Sequence, residues 1–151
     1  MGAMLGRSDQ DAKDWVAKAI AFYKTSEKAT ALAEFSNSQG SFVQDDMYIF
    51  VLNRKGTVIS HGIDEKYIGQ NFIGLQDSAG KKFVREIIDT CNAKGSGLVN
   101  YIWYDPATQD AELKSVYFEK VDDLIFCSGV YKEIWDGPKW VTALLRNPLP
   151  F

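Results

Sequence analysis

The residue in this sequence best placed to do chemistry is a lysine set among apolar neighbours. Between Leu113 and Val121 the alternation of a strand puts Lys114, Val116 and Phe118 on one face and Leu113, Ser115 and Tyr117 on the other. Such a lysine has two readings. Lying near the end of the strand, its long stem can carry the ammonium out to water. Alternatively it stays partly buried opposite an anion, since an unpaired buried ammonium is costly. The residues alone favour the first reading and leave the second open. Aromatics supply walls for a site: Tyr101 and Trp103 share one face of the preceding strand, and Tyr48 and Phe50 share one face of the first. Residues of this kind ordinarily build a core. Their phenol and indole donors nonetheless need partners when buried, and apolar walls with a few convergent polar groups describe a small-molecule pocket. His61, ending the second strand at the mouth of a glycine-punctuated connection, can add a donor.

Catalytic and metal chemistry find little support. The chain has 1 histidine, so no site that needs two can form, and no metal or other cofactor is expected. Ser60 and His61 are neighbours on a strand and point to opposite faces, which rules them out as nucleophile and base. There is no G-x-S-x-G elbow. Gly74 to Lys82 has the wrong spacing for a phosphate loop, with lysine where Ser or Thr would bind magnesium. The acidic pairs Asp45-Asp46 and Asp122-Asp123 lack the alternating ligands of a calcium loop and read as solvated turns. Cys91 and Cys127 form no metal-ligand spacing; they read as two small buried hydrophobes, with a disulfide as the less favoured alternative.

These residues need elements to hold them. At 151 residues, 46% apolar and 25% charged, the chain has the size and composition of one globular domain. A net charge of −3 with scattered Lys and Arg argues against nucleic acid as a partner. No apolar run is long enough to span a membrane. Met1-Gly2-Ala3-Met4 reads like a cloning remnant, so the domain is placed at 9–146, after a disordered start at 1–8 and before a tail at 147–151. A signal peptide or anchoring helix in the parent protein is compatible with this reading.

From Asp9 the pattern is helical, with Trp15, Ala19 and Phe22 on one row and Val16, Ile20 and Tyr23 on the next. Ser26 is expected to cap a short second helix through Phe35. Met47–Leu52 and Thr57–His61 form a hairpin around Asn53-Arg54-Lys55-Gly56, and residues 62–76 form a long connection of the kind that is often functional. Asp77 or Ser78 is expected to cap a crossover helix that Gly95 stops. Strands Leu98–Tyr104, Glu112–Val121 and Leu124–Tyr131 follow as a meander, and a last short helix carries Trp135 and Trp140. The sum is an α+β fold: a PAS-like five-stranded antiparallel sheet, a long N-terminal helix on one face and the crossover helix on the other.

In its order of motifs the chain resembles the single-Cache domains of bacterial chemoreceptors, sensor kinases and stand-alone periplasmic proteins. The resemblance runs from about Ala12 to Lys132. It is carried by Ala19-Ile20-Ala21-Phe22-Tyr23, by Ala33-Glu34-Phe35-Ser36 leading into Asp46–Asn53, and by Gly56 with Ile59-Ser60-His61-Gly62. Ile68-Gly69-Gln70-Asn71, Asp77 with Gly80-Lys81, Gly97 before Tyr101-Ile102-Trp103, Asp105-Pro106, Lys114-Ser115 and Cys127–Lys132 continue it. The resemblance implies a periplasmic or otherwise extracytoplasmic sensor domain that binds a short carboxylate such as acetate, propionate, pyruvate or lactate and performs no chemistry on it. It implies that Lys114 and His61 face the ligand beside Tyr101 and Trp103, with Tyr48 and Phe50 completing the ligand-binding set. Many relatives carry proline where this chain has Gly62, a departure beside His61. A homodimer through the N-terminal helix is a further expectation. The alternatives are a stand-alone periplasmic binding protein and a ligand-free structural or dimerisation domain.

Overall fold

The computed structural model describes residues 7–77, 79–105, 110–134 and 151, with backbone alone at 103–105, 110–111 and 133–134. Two helices open the chain, α1 (Asp9–Thr25) and α2 (Lys28–Phe35), followed by strands β1 (Phe50–Asn53) and β2 (Val58–His61). After a single 3-10 turn at Glu65–Tyr67 come helix α3 (Phe83–Lys94) and strands β3 (Ser96–Asp105), β4 (Asp110–Val121) and β5 (Leu124–Ile134). The strands form one antiparallel sheet in the order β2-β1-β5-β4-β3. Trp135, Trp140 and the expected last helix lie outside the described residues, as does Ser78.

Helix α1 starts where Ser8 closes a capping box with Asp11, and it buries Ala12, Val16, Ala19 and Ile20. The strands' period of two divides the sheet between two cores. Ile49, Val51, Leu124 and Phe126 face α1 and α2 and pack with Val16, Ile20, Phe35 and Phe42. Phe50, Leu52, Val116, Phe118, Ile125 and Cys127 face the other way, against Phe83, Val84, Ile87 and Ile88 of α3. The two helical layers therefore cover opposite faces, as the sequence pattern implies. Gly95 ends α3 in the left-handed conformation, with φ 84°.

Three local expectations are corrected. Ser26 is the C-cap of α1, and α2 starts at Lys28 behind Glu27, whose side chain makes no cap. Asp77 does not cap α3, which starts at Phe83 behind Lys82. Its buried carboxylate instead accepts from the backbone N–H groups of Ala79 and Lys81, both at 2.9 Å, and of Ile102 at 3.2 Å. Beside it, Lys81 Nζ donates to Asn100 O at 2.7 Å. Asp77 and Lys81 together satisfy backbone groups on the outer edge of β3, where a sixth strand would otherwise add. Finally, Asp46 is not merely solvated: its carboxylate accepts from Arg7 Nε at 3.1 Å.

Asp77→Ala should lower the free energy of unfolding by about 2–3 kcal/mol, because it leaves the buried Ile102 N–H without an acceptor. Urea denaturation checks this. A loss below about 0.5 kcal/mol would mean that the carboxylate does not hold the edge.

Candidate functional site

Lys114 sits in the middle of β4, not near its end, because β4 already begins at Asp110. Its side chain is 1% exposed, so the snorkelling reading is corrected: the ammonium stays inside. Across the sheet its Cα pairs with Tyr101 on β3 and with Tyr131 on β5. Nζ donates to Tyr48 Oη at 3.3 Å and lies 5.2 Å from the ring centroids of both Tyr48 and Tyr131. Ring faces lend such a cation electrostatic support without neutralising it. Burial pulls the Lys114 pKa down to about 7, with the carboxylate of Asp46 acting in the opposite sense.

Space for this side chain comes from a glycine. A Cβ built at Gly129 would stand 2.6 Å from Lys114 Cε and 3.0 Å from Val116 Cγ2, so β5 has no side chain where the lysine stem passes. A glycine inside a strand was the available sequence signal for this, although the motif-based expectation did not use it.

Tyr101 is buried, and its ring stacks on Phe83 of α3 with centroids 4.0 Å apart and planes within 10°. Its hydroxyl has no hydrogen-bond partner among the described residues. A buried phenol in that condition costs stability unless an acceptor reaches it. Burial also drives the pKa of Tyr101 well above its ordinary value, as it does for Tyr48, so both phenols keep their protons. The segment holding Tyr48 is fastened to the sheet: Ser128 Oγ donates to Tyr48 O at 2.9 Å, and Gly62 N donates to Ile49 O at 3.0 Å. Close packing here requires the glycine, since a Cβ at Gly62 would lie 3.0 Å from that of Tyr48.

His61 is buried on the same side of the sheet. Its ring lies 5.1 Å from Tyr48, 6.2 Å from Phe50 and 5.2 Å from Tyr67 by centroid. Nδ1 accepts from the backbone N–H of Ile63 at 3.2 Å and of Asp64 at 3.1 Å. That arrangement leaves the proton on Nε2 and ties the start of the long connection to the end of β2. Ser60, on the opposite face, donates to Leu32 O at 2.8 Å and bonds the hydroxyl of Ser36. Serine and histidine are thus separated by the sheet, as their adjacency implies.

The structure therefore brings Lys114, Tyr101, Tyr48, Phe50 and His61 to one end of the core beneath α3. Trp103 pairs with Glu112 in the backbone register of β3, and its side chain lies outside the described residues. Sequence reasoning missed Tyr131, Gly129 and Phe83. It also missed Phe72, which the connection after β2 packs against this cluster together with Tyr67, Ile73 and Leu75. Cys91 and Cys127 are free thiols buried in the same cluster, and burial raises both pKa values. No group of three or more His, Cys, Asp or Glu able to hold a metal occurs among the described residues. Nor is any described helix long and apolar enough to cross a membrane.

A five-stranded antiparallel sheet with helices on both faces is a PAS-like fold. The chain belongs to the Cache domain family, whose model matches residues 12–136, and this family comprises extracytoplasmic ligand-binding domains of signal transduction and chemotaxis. Among solved structures it is similar to a methyl-accepting chemotaxis protein from Vibrio parahaemolyticus, at 23% identity and a TM-score of 0.68, covering 81% of this chain and 86% of that one. It is also similar to a Cache chemosensory domain solved for carboxylic acid recognition, at 23% identity and a TM-score of 0.60, with 81% and 86% covered. The periplasmic sensor domain of a chemotaxis protein matches at 22% identity and a TM-score of 0.59, with 81% and 88% covered. At these identities the likeness establishes the fold. No curated protein sequence gives a significant match.

The lowered Lys114 pKa has a consequence for stability without ligand. Between about pH 7 and the ordinary lysine pKa of 10.5, the unfolded chain holds one proton more than the folded one at this residue, so stability rises with pH. Comparing wild type with Lys114→Met between pH 7.5 and 8.5 isolates this contribution from the thiols and phenols. The wild type should gain about 1.4 kcal/mol per pH unit relative to the variant. Parallel pH profiles for the two proteins would contradict the assignment.

Proposed function

We propose that this domain senses a small organic acid whose carboxylate lies against Lys114 Nζ and accepts a hydrogen bond from Tyr101 Oη. One observation carries the reading: a wholly buried lysine is paired across the strands with a buried tyrosine whose hydroxyl has no partner among the described residues. A carboxylate suits both: it is attracted to a buried cation, and it offers several lone pairs to the donors around it. Because Tyr48 Oη already accepts from Lys114, its own proton points elsewhere and can reach a second ligand oxygen.

Phe50, Phe83 and the ring of Tyr101 give this end of the core apolar walls, which suit the carbon skeleton of an organic acid. His61 borders the site, with Nδ1 committed to the backbone and only Nε2 able to donate. Binding without turnover fits this set. Lys114 and the phenols act as fixed hydrogen-bonding groups, and the hydroxyl beside His61 in sequence faces α2. Ligand binding would bias the packing between the sheet and α1, which is the element the reading assigns to pairing with a second copy. A stand-alone binding role for the same domain would use the same site.

Thermal melting against acetate, propionate, pyruvate and lactate tests the reading, because a ligand specific for the folded state raises the Tm. At least one acid should raise it in the wild type and not in Lys114→Met. Tyr101→Phe should weaken that acid about tenfold. Affinity should fall about tenfold per pH unit well above pH 7, as Lys114 loses its proton. If Lys114→Met responds to the acids as the wild type does, the carboxylate is not where we place it.

A further inference from the structure

The apolar end of the site is filled by a residue that belongs to none of the elements forming it. Phe151 is 0% exposed and sits inside the core cluster, far beyond β5 in sequence. Its ring centroid lies 4.5 Å from that of Phe50 and 5.3 Å from that of Phe72. It lies 5.9 Å from the His61 ring and 6.2 Å from Phe83. Those four neighbours come from β1, from the connection after β2, from β2 itself and from α3. Strands, helix and connection thus surround a slot shaped for a planar ring without filling it from their own residues.

The slot adjoins both polar groups of the site. Phe83 stacks on Tyr101, while Phe50 and His61 both contact the Tyr48 ring whose hydroxyl receives Lys114. Approach is edge-on from Phe72 and Phe83, with planes at 90° and 80°, and tilted from Phe50 at 30°. This is the mixture of edge and face contacts that aromatic rings prefer. A ligand with a ring here and a carboxylate at Lys114 would use the whole site. An acid the size of acetate would use only its polar end.

We propose that the ligand of this domain is an aryl-substituted carboxylic acid whose ring takes the place of the Phe151 ring, so that Phe151 competes with it. The inference rests on the reading of Lys114 and Tyr101 as the carboxylate site, and it adds the ring as the second recognition element. Occupation by the protein's own side chain sets a threshold, since the ligand must displace a packed ring to bind. Its apparent affinity is lowered by the fraction of molecules in which that ring is seated.

Titration calorimetry with acetate, phenylpropionate and the neutral phenylpropanol tests this on the full chain, on Phe151→Ala and on Phe151→Ala combined with Lys114→Met. Phenylpropionate should bind the full chain and should bind Phe151→Ala at least tenfold more tightly, while acetate changes by less than twofold. Within Phe151→Ala the acid should exceed the alcohol at least tenfold, and adding Lys114→Met should erase that difference. If Phe151→Ala loses cooperative unfolding, Phe151→Leu replaces it, with the same direction expected. Equal affinity of phenylpropionate for wild type and Phe151→Ala overturns the proposal. So does equal binding of acid and alcohol to Phe151→Ala, which marks an isolated core cavity. The two readings fail differently. Short acids that bind and depend on Lys114, together with no gain in phenylpropionate affinity from removing Phe151, sink the ring slot alone. Short acids that ignore Lys114→Met sink the carboxylate site.

Discussion

An ammonium held inside the protein at the middle of a β-strand is the constraint on which the rest of this structure depends. Lys114 is 1% exposed, and burial lowers its pKa to about 7. A side chain so costly to desolvate persists only where its surroundings are specified on every side. Here Gly129 leaves the channel for the stem, Tyr48 accepts from the head, and the rings of Tyr48 and Tyr131 lie alongside it. Each of these comes from a strand or from the segment leading into one. The site is thereby built on the strands of the sheet.

The sheet separates two duties. One face, with Ile49, Val51 and Phe126, is packed solid against α1 and α2. The other holds an apolar core beneath α3, and at its end Lys114, Tyr101, Tyr48 and His61 converge. The connection after β2 closes that end, tied down by the His61 ring nitrogen and contributing Phe72 as a wall. Asp77 and Lys81 finish the opposite edge of the sheet by bonding the backbone of β3. A ligand at Lys114, as proposed, would touch strands that also contact the two helical layers, which is what a sensor domain requires of its site.

Much of this was legible in the sequence wherever period or turn chemistry governs. Alternation placed Ser60 and His61 on opposite faces, put Tyr48 with Phe50, and put Lys114 with Val116 and Phe118. Gly95 marked the end of α3 for the reason that glycine tolerates a positive φ. What stayed hidden depends on distant partners. Lys114 read as snorkelling because its strand seemed to begin just before it, whereas pairing with β3 and β5 extends β4 back to Asp110. Asp77 read as a helix cap because its tertiary partner, Ile102 N, lies 25 residues away. Nothing in the local pattern of Phe151 announces that its ring reaches the end of the core.

The central claim is that the Lys114 ammonium is the counter-ion of a carboxylate ligand. The most direct measurement follows the Lys114 side-chain carbon next to Nζ by NMR through a pH titration, without and with a saturating organic acid. The account predicts an apparent pKa near 7 without ligand that rises by at least one unit when the acid is bound. An acid that binds while the Lys114 titration stays where it was would contradict it.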